Sequence, residues 1–227
     1  DRPVNEPPSR LVRRHFTTGE WVDVIPLIDP ERDQHGSASS GQHEWRVENG
    51  ELIGGSAVEE PDALLLPLHV ESNVYACEMD VTRRAGDSGL RFHLPIGEKD
   101  CLVTIDDPEH AGLILGQGDA ATVLSQSRQI QTDQRVQIRV AVRREHSGDR
   151  IQVWMDDMPV ADWSGELKLL IHPGQAESDP PSRLSLRMCE SGNEFVFHRI
   201  RLRKLDDGTL ETVRPVSMKA PEPVVAP

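Results

Sequence analysis

The sequence predicts an all-β fold, an antiparallel two-sheet sandwich with few or no helices. Three observations predict it: apolar residues recur with a period of two, Asn, Asp and Gly punctuate these runs, and no long window sustains a 3.6 period with caps. Tyr75, Cys77, Met79 and Val81 alternate with Ala76, Glu78 and Asp80, and Leu90, Phe92 and Leu94 alternate with Arg91 and His93. Val136, Ile138, Val140 and Val142 alternate with Gln137, Arg139 and Ala141. Ile151, Val153 and Met155 alternate with Gln152 and Trp154, and Leu184, Leu186 and Met188 with Ser185 and Arg187. Near the end, Ile200 and Leu202 alternate with Arg199, Arg201 and Arg203. Such runs put one face in a core and the other toward water. Between them stand Glu48-Asn49-Gly50, Ala85-Gly86-Asp87, Ser147-Gly148-Asp149, Met155-Asp156-Asp157-Met158 and Glu190-Ser191-Gly192-Asn193. These residue types tolerate the positive φ that hairpin turns require.

The chain has 227 residues, with 25 Lys and Arg against 38 Asp and Glu, a net charge of −13. That length suits one large domain or two small ones, and it buries a core without disulfide or metal support. The proline-bearing segment 1–10 reads as a linker, 11–210 as one β-sandwich domain, and 211–227 as a proline-rich tail. No apolar run approaches the roughly 18 residues of a membrane span. The acidic balance argues against a nucleic-acid partner, which calls for clustered Lys and Arg. Because the chain opens on Asp1, we expect a processed form or part of a longer protein that carries other domains.

Three widely spaced cysteines, Cys77, Cys101 and Cys189, form no CxxC and read as small buried apolar side chains. Spacing alone leaves a Cys77–Cys101 or Cys101–Cys189 bridge open. Gly116-Gln117-Gly118-Asp119-Ala120-Ala121 imitates a dinucleotide fingerprint, but neither a helix former nor a second βαβ unit follows it. Asp29-Pro30-Glu31-Arg32-Asp33 spaces oxygens as a calcium loop does. With Gln34 at the glycine position and Ser40 at the glutamate position it is no EF-hand, and it reads as a solvated acidic loop. The nine histidines are scattered without a metal-binding spacing, so no cofactor is predicted, and a non-EF calcium site is left open without being predicted.

Three segments together carry a resemblance. The first is Gly19–Pro30 followed by Trp45–Leu52. The second is Gly86-Asp87-Ser88-Gly89-Leu90-Arg91-Phe92. The third is Val153–Asp157 with Val160–Trp163, closed by Val196–Leu202. In these the chain resembles the 3-keto-disaccharide hydrolase domain family, formerly a domain of unknown function, over about Glu20–Leu205. The resemblance implies a concanavalin A-like jelly roll, a carbohydrate ligand, hydrolysis of 3-keto-glycosides, and attachment to larger bacterial multidomain proteins. It departs at Asp156-Asp157, where the family commonly carries a glycine.

If the apolar phases face the core, Glu78, Asp80, Arg91, His93, Arg139, Trp154 and Arg187 project outward. Gathered on one concave face, they would suit a sugar. Glu78 or Asp80 would be the acid or base with His93 as partner, Arg91, Arg139 and Arg187 would bind hydroxyls, and Trp154 would stack on a ring. Trp21, Trp45 and Trp163 sit among apolar neighbours and are expected to anchor the sandwich edges. The competing expectation is a non-catalytic interaction or spacer module, whose outward residues only pair across strands, Asp80 with Arg91 for instance. An extracytoplasmic or periplasmic location is mildly favoured.

Overall fold

The computed structural model describes residues 18–35, 45–55, 63–69, 74–96, 99–106, 112–114, 129–145, 148–166, 183–189 and 191–205. In chain order the strands begin with β1 (Val22–Asp23), β2 (Gln34–His35), β3 (Trp45–Glu48), β4 (Glu51–Gly55) and β5 (Ala63–His69). There follow β6 (Tyr75–Ala85), β7 (Leu90–Ile96), β8 (Lys99–Ile105), β9 (Gly112–Ile114) and β10 (Arg135–Glu145). The last four are β11 (Gly148–Met155), β12 (Met158–Gly165), β13 (Arg183–Met188) and β14 (Glu194–Lys204). One helical turn, α1 (Pro30–Asp33), and a 3₁₀ turn at Ile25–Leu27 precede the main strands. Among the described residues no helix is long and apolar enough to cross a membrane.

Two antiparallel sheets result. The larger has eight strands in the order β12-β11-β10-β6-β14-β4-β3, with β1 also paired to β14; the smaller runs β2-β5-β13-β7-β8-β9. The inward phases of both sheets meet in one core. Cys77, Met79, Val81, Ile138, Val140, Val153 and Leu202 come from the larger sheet, and Phe92, Leu94, Val103, Leu184, Leu186 and Met188 from the smaller. Burying each such aliphatic side chain contributes roughly 1.5–3 kcal/mol, so the alternating pattern is itself the main source of stability. Trp45 and Trp163 are buried on β3 and β12, the two edges of the larger sheet. Trp21 instead lies over two guanidiniums, Arg201 at 4.5 Å and Arg203 at 4.7 Å from its ring centroid.

Asp156 and Asp157 join β11 to β12 with φ of 48° and 62°, the two-residue turn geometry in which glycine is the easier occupant. The strain at Asp156 is offset by bonding. Its Oδ1 accepts from Gln137 N at 2.8 Å, and its own N donates to Gln137 O at 2.8 Å. Asp157 makes one exposed ion pair, with Arg139 at 3.2 Å. Replacing Asp157 with Gly is therefore expected to stabilise the protein by about 1 kcal/mol, the left-handed penalty less a weak surface pair. A raised urea midpoint checks it, and a lowered one contradicts it.

The three cysteines are free and buried. Burial pushes the Cys77 thiol up to about 12, helped by the neighbouring Glu78 charge. It also raises Tyr75 well above its ordinary value of 10, with further increments from Cys101 and Cys77. Both groups stay protonated in the fold while an unfolded chain would lose the protons, so their contribution is whole below pH 9 and lost as pH climbs from there. Denaturant midpoints should be flat from pH 7 to 9 and fall steeply by pH 11. A midpoint unchanged at pH 11 contradicts this.

Segments 1–10 and 211–227 and the Gly116–Ala121 stretch lie outside the described residues.

Candidate functional site on the outer sheet faces

The seven outward residues divide between the two sheets. Glu78 and Asp80 on β6, Arg139 on β10 and Trp154 on β11 share the outer face of the larger sheet. Arg91 and His93 on β7 and Arg187 on β13 share the outer face of the smaller. Since both sheets turn their inner faces to one core, these two outer faces look in opposite directions. The expected single hollow is thus not formed, and neither Glu78 nor Asp80 reaches His93 as an acid–base partner. The same layering separates Asp80 from Arg91.

On the larger sheet the register lays out a continuous row. Trp154 stands opposite Arg139, Arg139 opposite Glu78, Glu78 opposite Arg201, and Arg201 opposite Asp23. Arg139 lies 4.8 Å from the centroid of the Trp154 ring, so one face of that indole already holds a cation. Arg201 grips Glu78 Oε2 through Nε at 2.8 Å and through Nη2. One residue pair along, Asp80 accepts from Arg135 at 2.8 Å and pairs with Arg199 at 3.1 Å. Gln137 Nε2 lies at 3.4 Å from its other oxygen. Burial alone would raise the Asp80 carboxyl, but Arg135, Gln137 and Arg199 together hold it below the usual carboxylate value.

A carboxylate held ionised this way is a poor proton donor near neutrality. This face carries a lattice of ion pairs, Glu78 with Arg201 and Asp80 with Arg135 and Arg199.

Sequence reasoning missed one group on that face. A bulge between Phe197 and Arg199 moves the inward phase of β14 from Phe195 and Phe197 to Ile200 and Leu202. The extra residue, His198, lies 2.8 Å from Thr82 Oγ1 and 2.6 Å from Glu51 Oε1. Its partners are 116 and 147 positions away, and no local pattern announces them.

The acidic loop also departs from expectation. Asp33 is only 2 % exposed, and it accepts from Asp29 N at 3.0 Å, from both Arg32 nitrogens and from Arg183 at 3.2 Å. Arg183 also donates to Leu65 O and Leu66 O, where β5 bulges around Pro67 and the ladder to β13 slips. The carboxylate that resembled a calcium ligand therefore holds an arginine that repairs a bulge. Among the described residues no group of three His, Cys, Asp or Glu could hold a metal ion.

Asp33 and Asp80 are held below the ordinary carboxylate value against the opposing effect of burial. Asp162 is lowered first by its hydrogen bonds from Arg150. Their contribution is present above about pH 4 and lost as pH falls through the lowered folded values. Acid titration of stability should accordingly be flat down to about pH 4 and then drop. Loss beginning near pH 6 contradicts these pairings.

The outer face of the smaller sheet differs. Leu65, Ser185, Leu102 and Thr104 lie on its outward phase, each under 9 % exposed, and Arg91, His93 and Arg187 are the partly exposed groups among them. Arg91 is directly opposite Arg187, and His93 opposite Ser185 and Leu102. Arg187 Nε is buried with no hydrogen-bond partner.

No protein-family model and no curated protein matches the sequence. The fold does have relatives. The carbohydrate recognition domain of Emp46p, in its metal-free form, superposes with a TM-score of 0.51 at 12% identity, covering 85% of this chain and 100% of that one. The fold is that of a lectin-type sandwich. Carbohydrate binding module CBM66 from Bacillus subtilis is similar at a TM-score of 0.45 and 15% identity, over 80% of this chain and 94% of that one. Alginate lyase Aly36B is similar at 0.45 and 10%, over 82% and 98%. Identities this low establish a shared architecture, so the chemistry of this lectin-type sandwich has to be argued from its own residues.

Proposed function

We propose that this lectin-type sandwich is a glycan-binding domain whose ligand lies on the outer face of the six-stranded sheet, against Arg91, His93 and Arg187. The observation that carries this reading is the make-up of that face, where partly exposed Arg91, His93 and Arg187 stand among buried Leu65, Leu102, Thr104 and Ser185. On the larger sheet Glu78–Arg201, Asp80–Arg135 and Arg150–Asp162 form ion pairs. On the smaller sheet, donors rise from a floor of small and apolar residues. Guanidinium and imidazole groups on such a floor offer hydrogen bonds to sugar hydroxyls while the apolar floor meets C–H faces. Glu78, Asp80, Arg139 and Trp154 then serve the scaffold.

Titration calorimetry against a panel of neutral and acidic oligosaccharides tests this. Arg91→Ala and Arg187→Ala should each weaken binding at least tenfold, whereas Trp154→Ala should leave it within twofold. The opposite pattern would move the site to the larger sheet.

The hydrolytic reading, cleavage of 3-keto-glycosides, is supported by the sequence resemblance and would make His93 the proton-transfer group on the same face. Turnover of a 3-keto-disaccharide that His93→Ala abolishes would establish it. Glycan binding without turnover leaves a binding module, the non-catalytic alternative. Such a module is proposed to work outside the cytoplasm.

A further inference from the structure

We propose that Thr82, His198 and Glu51 form a nucleophile–base–carboxylate triad on the outer face of the eight-stranded sheet, a second site that hydrolyses small acyl esters. It goes beyond the glycan-binding reading and stands on the opposite face of the sandwich. His198 Nδ1 is 2.6 Å from Glu51 Oε1, and His198 Nε2 is 2.8 Å from Thr82 Oγ1. A carboxylate can only accept, so the proton of the neutral imidazole sits on Nδ1 and is donated to Glu51. Nε2 then turns its lone pair toward Thr82, whose hydroxyl donates to it. A base beside a nucleophile, itself oriented by a third group, is the arrangement that activates a hydroxyl for attack.

Three strands supply the three groups: Thr82 from β6, His198 from β14, and Glu51 from the start of β4. β14 runs between the other two, and its bulge inserts His198 before the ladder resumes with Arg199 opposite Asp80. Such a bulge re-aims a side chain at the expense of one rung of pairing. The neighbours set the substrate class. Val196 stands opposite both Thr82 and Ile53, and these two apolar side chains are 4 % and 9 % exposed on the outer phase. An apolar floor beside the hydroxyl suits an acyl group, and the 6 % exposure of Thr82 keeps that group short. On the other side Arg135 is opposite Thr82, and its Nη2 donates to Asp80 at 2.8 Å. A guanidinium has five donors, so Arg135 has others with which to steady an oxygen that becomes negative.

In the first step Thr82 Oγ1 bonds to the ester carbonyl carbon while its proton passes to His198 Nε2, and Glu51 holds the imidazolium. The bond from that carbon to the alcohol oxygen then breaks, and the alcohol leaves with the proton from Nε2. In the second step water gives a proton to Nε2 and attacks the threonyl ester. The acid departs, and the proton returns to Oγ1.

The test uses p-nitrophenyl acetate, and a fluorophosphonate followed by peptide mass spectrometry, on the whole chain. The expected results are a p-nitrophenol burst and a covalent adduct on Thr82. Thr82→Val and His198→Gln should each lower turnover at least about a hundredfold, and Glu51→Gln at least about tenfold. Thr82→Ser, which keeps a hydroxyl facing Nε2, should retain turnover within about tenfold and move the adduct to the new side chain. Far-UV circular dichroism and a urea midpoint show that each variant is folded. An adduct only on other residues, or undiminished turnover in folded Thr82→Val or His198→Gln, overturns the triad. No turnover and no adduct in the parent overturns it as well, and leaves the glycan-binding reading standing.

Discussion

Asp106→Ala is expected to destabilise the protein by about 3–5 kcal/mol, the cost of stranding one member of a buried ion pair. Asp106 Oδ2 accepts from Arg83 Nη1 at 2.9 Å and from Ile130 N at 2.8 Å, and both charged side chains are below 10 % exposed. Arg83 occupies an inward position of β6, two residues beyond Val81, so without the carboxylate a guanidinium would be left at the end of the core. Asp106 also sits at φ 58°, a conformation that Asn tolerates and Ala does not. Asp106→Asn should therefore cost less than Asp106→Ala, because it keeps the backbone and an oxygen for Ile130 N. Urea midpoints of Asp106→Ala, Arg83→Met and the double variant form the decisive cycle. The double should cost clearly less than the sum of the singles. Additive losses, or an Asp106→Ala midpoint within about 0.5 kcal/mol of the parent, would contradict a coupled pair.

The same pair shows where the sequence stopped being readable. Alternation in Tyr75–Val81 announced β6, yet the strand continues to Ala85 because a charge from the other sheet neutralises an arginine on its inward phase. β5 and β8 were harder to see for the opposite reason. Leu65 and Leu102 lie on outward phases but are buried, so Ala63–His69 is apolar on both faces and Lys99–Ile105 has its alternation broken at Leu102.

The candidate site was legible only to the level of inside against outside. A period of two fixes which side chains leave the core, but not which layer they leave from. Asp80 and Arg91 come from strands successive in sequence, yet the connection 86–89 carries the chain from one sheet to the other and sends these residues to opposite surfaces. What distinguishes the faces is cross-strand register, Glu78 with Arg201 on one side and Arg91 with Arg187 on the other. Register depends on partners more than 90 residues apart in the chain.

Gly89→Ala is expected to cost at least about 3 kcal/mol, the upper range for forcing atoms into a packed site. A Cβ on Gly89 would overlap Ile105 O and stand 2.6 Å from the carbonyl carbon and oxygen of Asp106, all of them backbone atoms. They have little freedom to retreat. Leu90 is paired with Ile105 in the ladder, and Gly89 O accepts from Cys189 N at 3.0 Å, so both sides of the contact are fixed. Gly192→Ala is the control. It has open space around the same hypothetical atom and only a φ of 80° against it, for which about 1 kcal/mol is expected.

The comparison bears on the Gly86-Asp87-Ser88-Gly89 segment, one of the three that carried the resemblance. The backbone of Ser88 is tied inward, with Asn193 Oδ1 accepting from Ser88 N at 3.1 Å and Arg83 donating to Ser88 O at 3.5 Å. The segment is thus a close-packed crossing between sheets, immediately ahead of β7. Gly89→Ala should lower the urea midpoint while glycan affinity per folded molecule stays within a few fold. A variant as stable as the parent but unable to bind would make the segment part of the site and refute its structural assignment.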